Sequence, residues 1–155
     1  MKIKKVIIAS HGTTGARKAE QVAIDFCLQN GATLHQLLVV PDFWKGMMGD
    51  DWLNNAVTQS RFGKYVESEL ARDAAIELER LAEECKQAGV RCSSNVQLGK
   101  PAQCLITACE QDKYDLAVIG SPRPKGTEGL RSRMDPELLA RSLSIPLLTV
   151  PYSPA

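Results

Sequence analysis

Residues 4–26 read KKVIIASHGTTGARKAEQVAIDF, and the architecture follows from how this stretch changes character halfway along. Residues 3–9, IKKVIIA, form a short apolar run that stops at the turn-forming SHGTTG, as a buried strand does. Beyond the turn, Ala19, Val22, Ala23, Phe26 and Cys27 recur at helical spacing over residues 16–29, and Gly31 supplies a stop. The reading is a strand, a tight turn and a helix in direct succession.

The same alternation continues along the chain. Residues 33–40, TLHQLLVV, make a second strand that ends at Pro41. A long helix is expected over roughly 58–88, where Phe62, Val66, Leu70, Ala74, Leu78, Leu81, Cys85 and Ala88 step by three or four before Gly89 closes it. In residues 90–98, Val90, Cys92, Val96 and Leu98 alternate with Arg91, Ser93, Asn95 and Gln97, the pattern of a strand wet on one face. A short helix at 102–111, a strand at 114–120, a helix at 136–143 and a strand at 146–151 complete the order. Asp135, Pro136 and Glu137 mark the start of the last helix: a cap, a residue suited to the first turn, and a charge that favours the helix dipole. Strands and helices in strict alternation imply an α/β fold, a single doubly wound five-stranded parallel sheet with helices on both faces. The half-wet 90–98 belongs at an edge. The apolar run Leu147–Val150 has little chain left to cover it, so pairing with a second copy is expected there.

With 155 residues the chain fits one domain, 1–155. Hydrophobic content of 44% and charged content of 24% are those of a globular protein, and a net charge of +1 excludes bulk attraction to nucleic acid or membrane. No run approaches the ~18 apolar residues of a membrane span. The N-terminal MKIKKVIIASHG has too short an apolar segment for a signal peptide, so a cytoplasmic location is expected. Five cysteines without a C-x-x-C pair read as reduced core thiols. No nucleophile–base pair and no metal-ligand spacing is visible, so neither catalytic residues nor a metal site are expected.

The order and spacing of residues 4–26, GATLHQLLVV at 31–40, the Gly99-Lys100-Pro101 turn, DLAVIGS at 115–121 and IPLLTVP at 145–151 resemble the universal stress protein family over nearly the whole chain. The resemblance implies a parallel sheet of order 3-2-1-4-5, a homodimer joined through the last strand (146–151), and a non-catalytic regulatory role in stress. In such a sheet, ligands bind outside the carboxyl ends of the strands where the order reverses. The loops concerned are SHGTTGAR at 10–17 and GSPRPKG at 120–126.

The family's ATP-binding branch carries an Asp after the first strand and G-x2-G-x9-G-[S/T] after the fourth. On that pattern Gly120 is retained, Arg123 takes the second glycine position, Arg133-Met134 the final pair, and His11 the Asp position. Arginine blocks the close backbone approach that glycine permits, and Pro122 and Pro124 delete N–H donors beside Arg123. A backbone phosphate cradle is therefore not expected. Arginine can hold phosphate or carboxylate through its own planar fork, so side-chain anion binding remains open. The expected site comprises Gly12, Thr13, Gly120, Ser121 and Gly126 shaping the floor, Arg123, Lys125, Arg131 and Arg133 as cations, and Val40 bordering a base. Its candidate ligands are ATP, AMP or another small anion, and the competing reading is a solvated basic loop. SHGTTG weakly matches an FMN phosphate loop. Residues 42–53, DFWKGMMGDDWL, hold both tryptophans and two of the four methionines, so a lid, a protein-binding surface or a loop folded on the core all fit there.

Overall fold

The computed structural model describes residues 2–10, 14–40, 72, 75–98, 100–120 and 135–151. Five strands, β1 (Lys5–Ser10), β2 (Thr33–Val40), β3 (Cys92–Leu98), β4 (Leu116–Gly120) and β5 (Leu147–Val150), form one sheet of order β3-β2-β1-β4-β5. Every pairing is parallel. The helices are α1 (Thr14–Asn30), α2 (75–88), α3 (Pro101–Gln111) and α4 (Pro136–Ser142). The part of the long helix expected over 58–71 lies outside the described residues. Gly31 and Gly89 end α1 and α2 with φ of +64° and +81°, a backbone state that costs glycine nothing.

Successive residues of β1 face opposite ways, and both sides are dry. Val6 and Ile8 join Leu34, Leu116 and Val118 beneath α1 and α2, which contribute Ala19, Ala23, Ile24, Leu81 and Cys85. Ile7 and Ala9 join Leu37, Val39, Ala117 and Ile119 beneath α3 and α4, which contribute Leu105, Ile106 and Leu139. Each fully buried aliphatic side chain is worth about 1.5–3 kcal/mol, so this double cover explains why the central strands are continuous apolar runs.

At the β3 edge the expected dry face holds only at its start. Val90 is buried and Cys92 half-buried, but Val96 is 43% exposed, because the cluster under α2 reaches Cys92 and stops. The strand expected from 114 starts at Leu116 instead. Tyr114 is buried, and Asp115 is taken up in latching β4 to β1. The Lys4 and Lys5 backbone N–H groups donate to Asp115 Oδ2 at 2.8 and 3.0 Å, and the Asp115 N–H donates to the Lys5 carbonyl at 2.8 Å.

The N–H groups of Lys4 and then Lys5 hold the Asp115 carboxyl below its ordinary pKa. A depressed folded-state pKa contributes stability above the ordinary carboxylate range, and that stability is lost as pH falls through the lowered value. Asp115→Ala is expected to lower the melting temperature at neutral pH, and the gap from the parent should narrow below about pH 3.9. Paired thermal melts across that range check it; a gap that widens on acidification would refute the latch.

Candidate functional site

The strand order reverses between β1 and β4. From β1 the sheet runs back through β2 to β3, and from β4 it runs on to β5. Val6, Ile7 and Ile8 pair with Leu116, Ala117 and Val118, so the two strands point the same way and their carboxyl ends adjoin. Residues 11–13 leave β1 and enter α1 at Thr14; residues 121–134 leave β4 and precede the cap of α4. Both connections therefore start from the same end of the sheet, where helices above and below leave a crevice in this topology.

Gly120 is the last residue of β4, half-buried and paired in register with Val150. Val40 is the last residue of β2, one strand from β1, in register with Leu98. Gly12, Thr13, Ser121, Arg123, Lys125, Gly126, Arg131 and Arg133 lie outside the described residues, as do His11 and the tryptophan- and methionine-containing segment 42–53. The two helices that rise from this end differ in charge. At α4 the Leu138 N–H donates to Asp135 Oδ1 at 3.1 Å, and Glu137 adds a second carboxylate to the first turn. The first turn of α1 has no acidic residue, which leaves the positive end of its dipole uncompensated by a carboxylate there.

Two polar constellations escaped the linear reading. In the first, the fully buried Glu20 of α1 meets Arg80 of α2, with Nη2 to Oε2 at 2.6 Å. Arg80 also holds Glu77 Oε2 at 2.8 Å and Glu84 Oε1 at 3.0 Å. The helical spacing of Glu77, Arg80 and Glu84 is legible in the chain, whereas the contact to a residue sixty positions earlier is not. Burial raises the Glu20 pKa, partly offset by the Arg80 hydrogen bond and charge. Burial opposes the charge on Arg80, but its hydrogen bonds to Glu77 and Glu20 prevail and raise its pKa.

In the second, His35 of β2 is hydrogen-bonded to β3. Its ring nitrogens lie 2.7 Å from Ser93 Oγ and 2.7 Å from Asn95 Oδ1 on β3, and its ring centroid is 5.8 Å from that of Tyr114. Next to it an open groove of about 280 Å³ runs between β3 and α3, lined by Asn95, Gln97, Lys100, Gln103, Cys104 and Thr107 among others. This groove sits at the β3 edge, two strands from the β1–β4 reversal. Among the described residues no three His, Cys, Asp or Glu side chains are grouped to hold a metal, and no helix is long and apolar enough to cross a membrane.

Sheet order and crevice define a doubly wound α/β protein whose strand sequence matches the first five of the 3-2-1-4-5-6 dinucleotide-binding order. The universal stress protein family model matches residues 2–151, and the chain belongs to that family. Its fold is similar to that of a universal stress protein from Lactobacillus plantarum, with a TM-score of 0.76 at 12% identity over 97% of this chain and 99% of the other. It is also similar to a family protein from Arabidopsis thaliana solved with AMP bound, with a TM-score of 0.63 at 16% identity over 97% and 93%. A universal stress protein from Archaeoglobus fulgidus in complex with dAMP gives a TM-score of 0.62 at 12% identity over 97% and 99%. No curated protein matches the chain in sequence.

The Glu20–Arg80 pair predicts an asymmetry. Arg80→Met strands a buried carboxylate and is expected to cost about 3–5 kcal/mol. Glu20→Gln removes the buried charge while keeping an acceptor for Arg80, and should cost less. Because the Glu20 pKa is raised on folding, Glu20 erodes stability as pH climbs from the ordinary carboxylate value toward the raised one, opposite in sign to Asp115. Denaturant unfolding of both variants checks the ranking; a larger loss for Glu20→Gln would reverse the argument.

Proposed function

We propose that this protein is a non-catalytic, cytoplasmic stress-response regulator that binds a nucleotide or other phosphate-like anion at the β1–β4 crevice. The observation that carries the reading is the strand-order reversal, which sets the loops after Ser10 and Gly120 at one end of the sheet. The first turn of α1, which carries no acidic residue, supports an anion there. AMP and dAMP in the two family structures support a nucleotide as the ligand class.

In this reading Gly12, Thr13, Gly120, Ser121 and Gly126 shape the floor, and Val40 borders a base. Arg123, Lys125, Arg131 and Arg133 grip phosphate through their side chains, in place of the glycine backbone cradle that Arg123 and Arg133 have displaced. Binding serves to bias the conformation or partnership of the protein, and the Trp/Met segment 42–53 is the surface offered to a protein partner. Titration calorimetry with ATP and AMP tests the grip. Arg123→Ala combined with Arg133→Ala is expected to weaken binding at least tenfold, about 1.4 kcal/mol. Tight binding that survives both substitutions would overturn the side-chain mode and favour an altered backbone motif.

The same reading includes a homodimer through β5. This strand has β4 as its single neighbour among the described residues. The Pro146 carbonyl accepts from the Ala117 N–H at 3.0 Å, so in a parallel pair the alternate residues Leu147 and Thr149 direct their backbone groups outward. Thr149 is also exposed. Thr149→Pro removes an outward N–H without touching the β4 ladder and is expected to give a monomer by sedimentation equilibrium. A parent protein that is already monomeric, or a variant that remains dimeric, would remove β5 as the interface.

A further inference from the structure

β3 is an outer strand of the sheet, with β2 as its single neighbour among the described residues. It pairs with β2 at seven consecutive positions, from Leu34–Cys92 to Val40–Leu98, without a bulge. The Leu34 N–H donates to the Arg91 carbonyl at 2.9 Å, so in this parallel pair Arg91, Ser93, Asn95 and Gln97 turn their backbone groups toward β2. Cys92, Ser94 and Val96 therefore direct theirs outward. Sheet edges are ordinarily protected against strand addition by a proline, a bulge or a charge within the strand. Cys92–Leu98, CSSNVQL, has none of the three.

The two faces beside this edge differ in chemistry. Toward α3, His35 ties down the Ser93 and Asn95 side chains, which holds the strand in place before anything binds. The groove of about 280 Å³ alongside is lined by Asn95, Gln97, Gln103, Thr107 and Gln111, side chains that can each donate and accept. Toward α2, Val96 presents an apolar side chain that is 43% exposed. Charge along this segment is of one sign. Residues 90–109 contain Arg91 and Lys100 and no acid, and both cations are exposed. They flank the uncharged strand, one near each end.

We propose that the outer edge of β3 is a docking site for an extended, acid-flanked segment of another protein, added to the sheet as a further strand. Its main chain exchanges hydrogen bonds with Cys92, Ser94 and Val96, which supply affinity without regard to sequence. Alternate side chains supply selectivity: polar ones reach the mouth of the amide-lined groove, and an apolar one covers Val96. Acids beyond the paired stretch meet Arg91 and Lys100. A second copy of this chain fits the edge poorly. Antiparallel pairing of two β3 strands sets Arg91 of each copy toward Lys100 of the other, so like charges oppose it at both ends. β5 lies at the opposite edge, so docking here leaves the proposed dimer and the β1–β4 crevice clear.

The probe is a synthetic peptide, Asp-Glu-Thr-Val-Thr-Val-Thr-Glu-Asp, blocked at both ends and titrated into the full-length protein; the control carries lysine in place of every acid. Fluorescence polarisation follows binding, and amide hydrogen exchange read by NMR locates it. Saturation is expected to slow exchange at Cys92, Ser94 and Val96 by about tenfold or more, while Ser93, Asn95 and Gln97, already turned toward β2, change little. The lysine peptide should bind at least about tenfold more weakly at low ionic strength. Ser94→Pro removes one outward N–H, leaves the β2 ladder intact, and should weaken binding about tenfold or more. Arg91→Glu with Lys100→Glu, both at exposed positions, should reverse the preference between the two peptides, and this arm stands even if Ser94→Pro fails to fold. No binding of the acidic peptide at millimolar concentration, equal binding of the lysine peptide, protection falling on Leu147 and Thr149 of β5 instead, or Cys92, Ser94 and Val96 amides already protected in a peptide-free dimer would each overturn the proposal.

Discussion

Everything in this molecule depends on β1 being dry on both faces. Val6, Ile7 and Ile8 are all fully buried, and a strand in that position has no backbone or side-chain contact with water to fall back on. Its N–H and C=O groups must be taken up by parallel partners on both sides, which β2 and β4 supply. Its side chains must be covered by helices above and below, and crossover connections place them there. From these two requirements come the three inner strands, the two helix layers and the reversal of order between β1 and β4. The crevice is a by-product of that reversal, since chains leaving neighbouring strands toward opposite faces have to part.

Charge is arranged around this frame in three ways. At the amino ends of β1 and β4, Asp115 neutralises backbone donors and stitches the strands where the ladder begins. Between α1 and α2, Glu20 is carried into the core only because Arg80 follows it there. The arginine in turn shares its donors with Glu77 and Glu84, so the pair behaves as part of a network. At the carboxyl ends, the first turn of α4 carries a carboxylate and that of α1 carries none, so the two helix starts are electrostatically unlike.

The edges of the sheet follow a different logic from its centre. β3 loses its cover beyond Cys92, exposes Val96, and holds itself to β2 through His35 and the side chains of Ser93 and Asn95. β5 keeps Val150 buried but, among the described residues, has one neighbour and a short ladder. Hydrogen-bonded imidazole and exposed strand backbone therefore collect at the periphery. There a side chain can interact with solvent or a second molecule without opening the core.

Among the described residues, the chain's linear pattern was enough to establish the five strands, the four helices, their alternation and the two edges. Buried strands need unbroken apolar runs and amphipathic helices need apolar residues every three or four positions, and both are local requirements. β2 runs over residues 33–40 as the pattern requires, and Gly31 and Gly89 stop their helices where left-handed backbone is needed. The location of the candidate crevice was legible too, once the order 3-2-1-4-5 was in hand. The family resemblance supplied that order, and the polarity of the edges agreed with it. Contacts between residues far apart in the chain were not legible. Glu20 with Arg80, Asp115 with Lys4 and Lys5, and His35 with Asn95 depend on which side chains are brought together and how much water is removed. Periodicity encodes which face of an element is buried; what that face meets, and at what cost in desolvation, is set only when the elements pack.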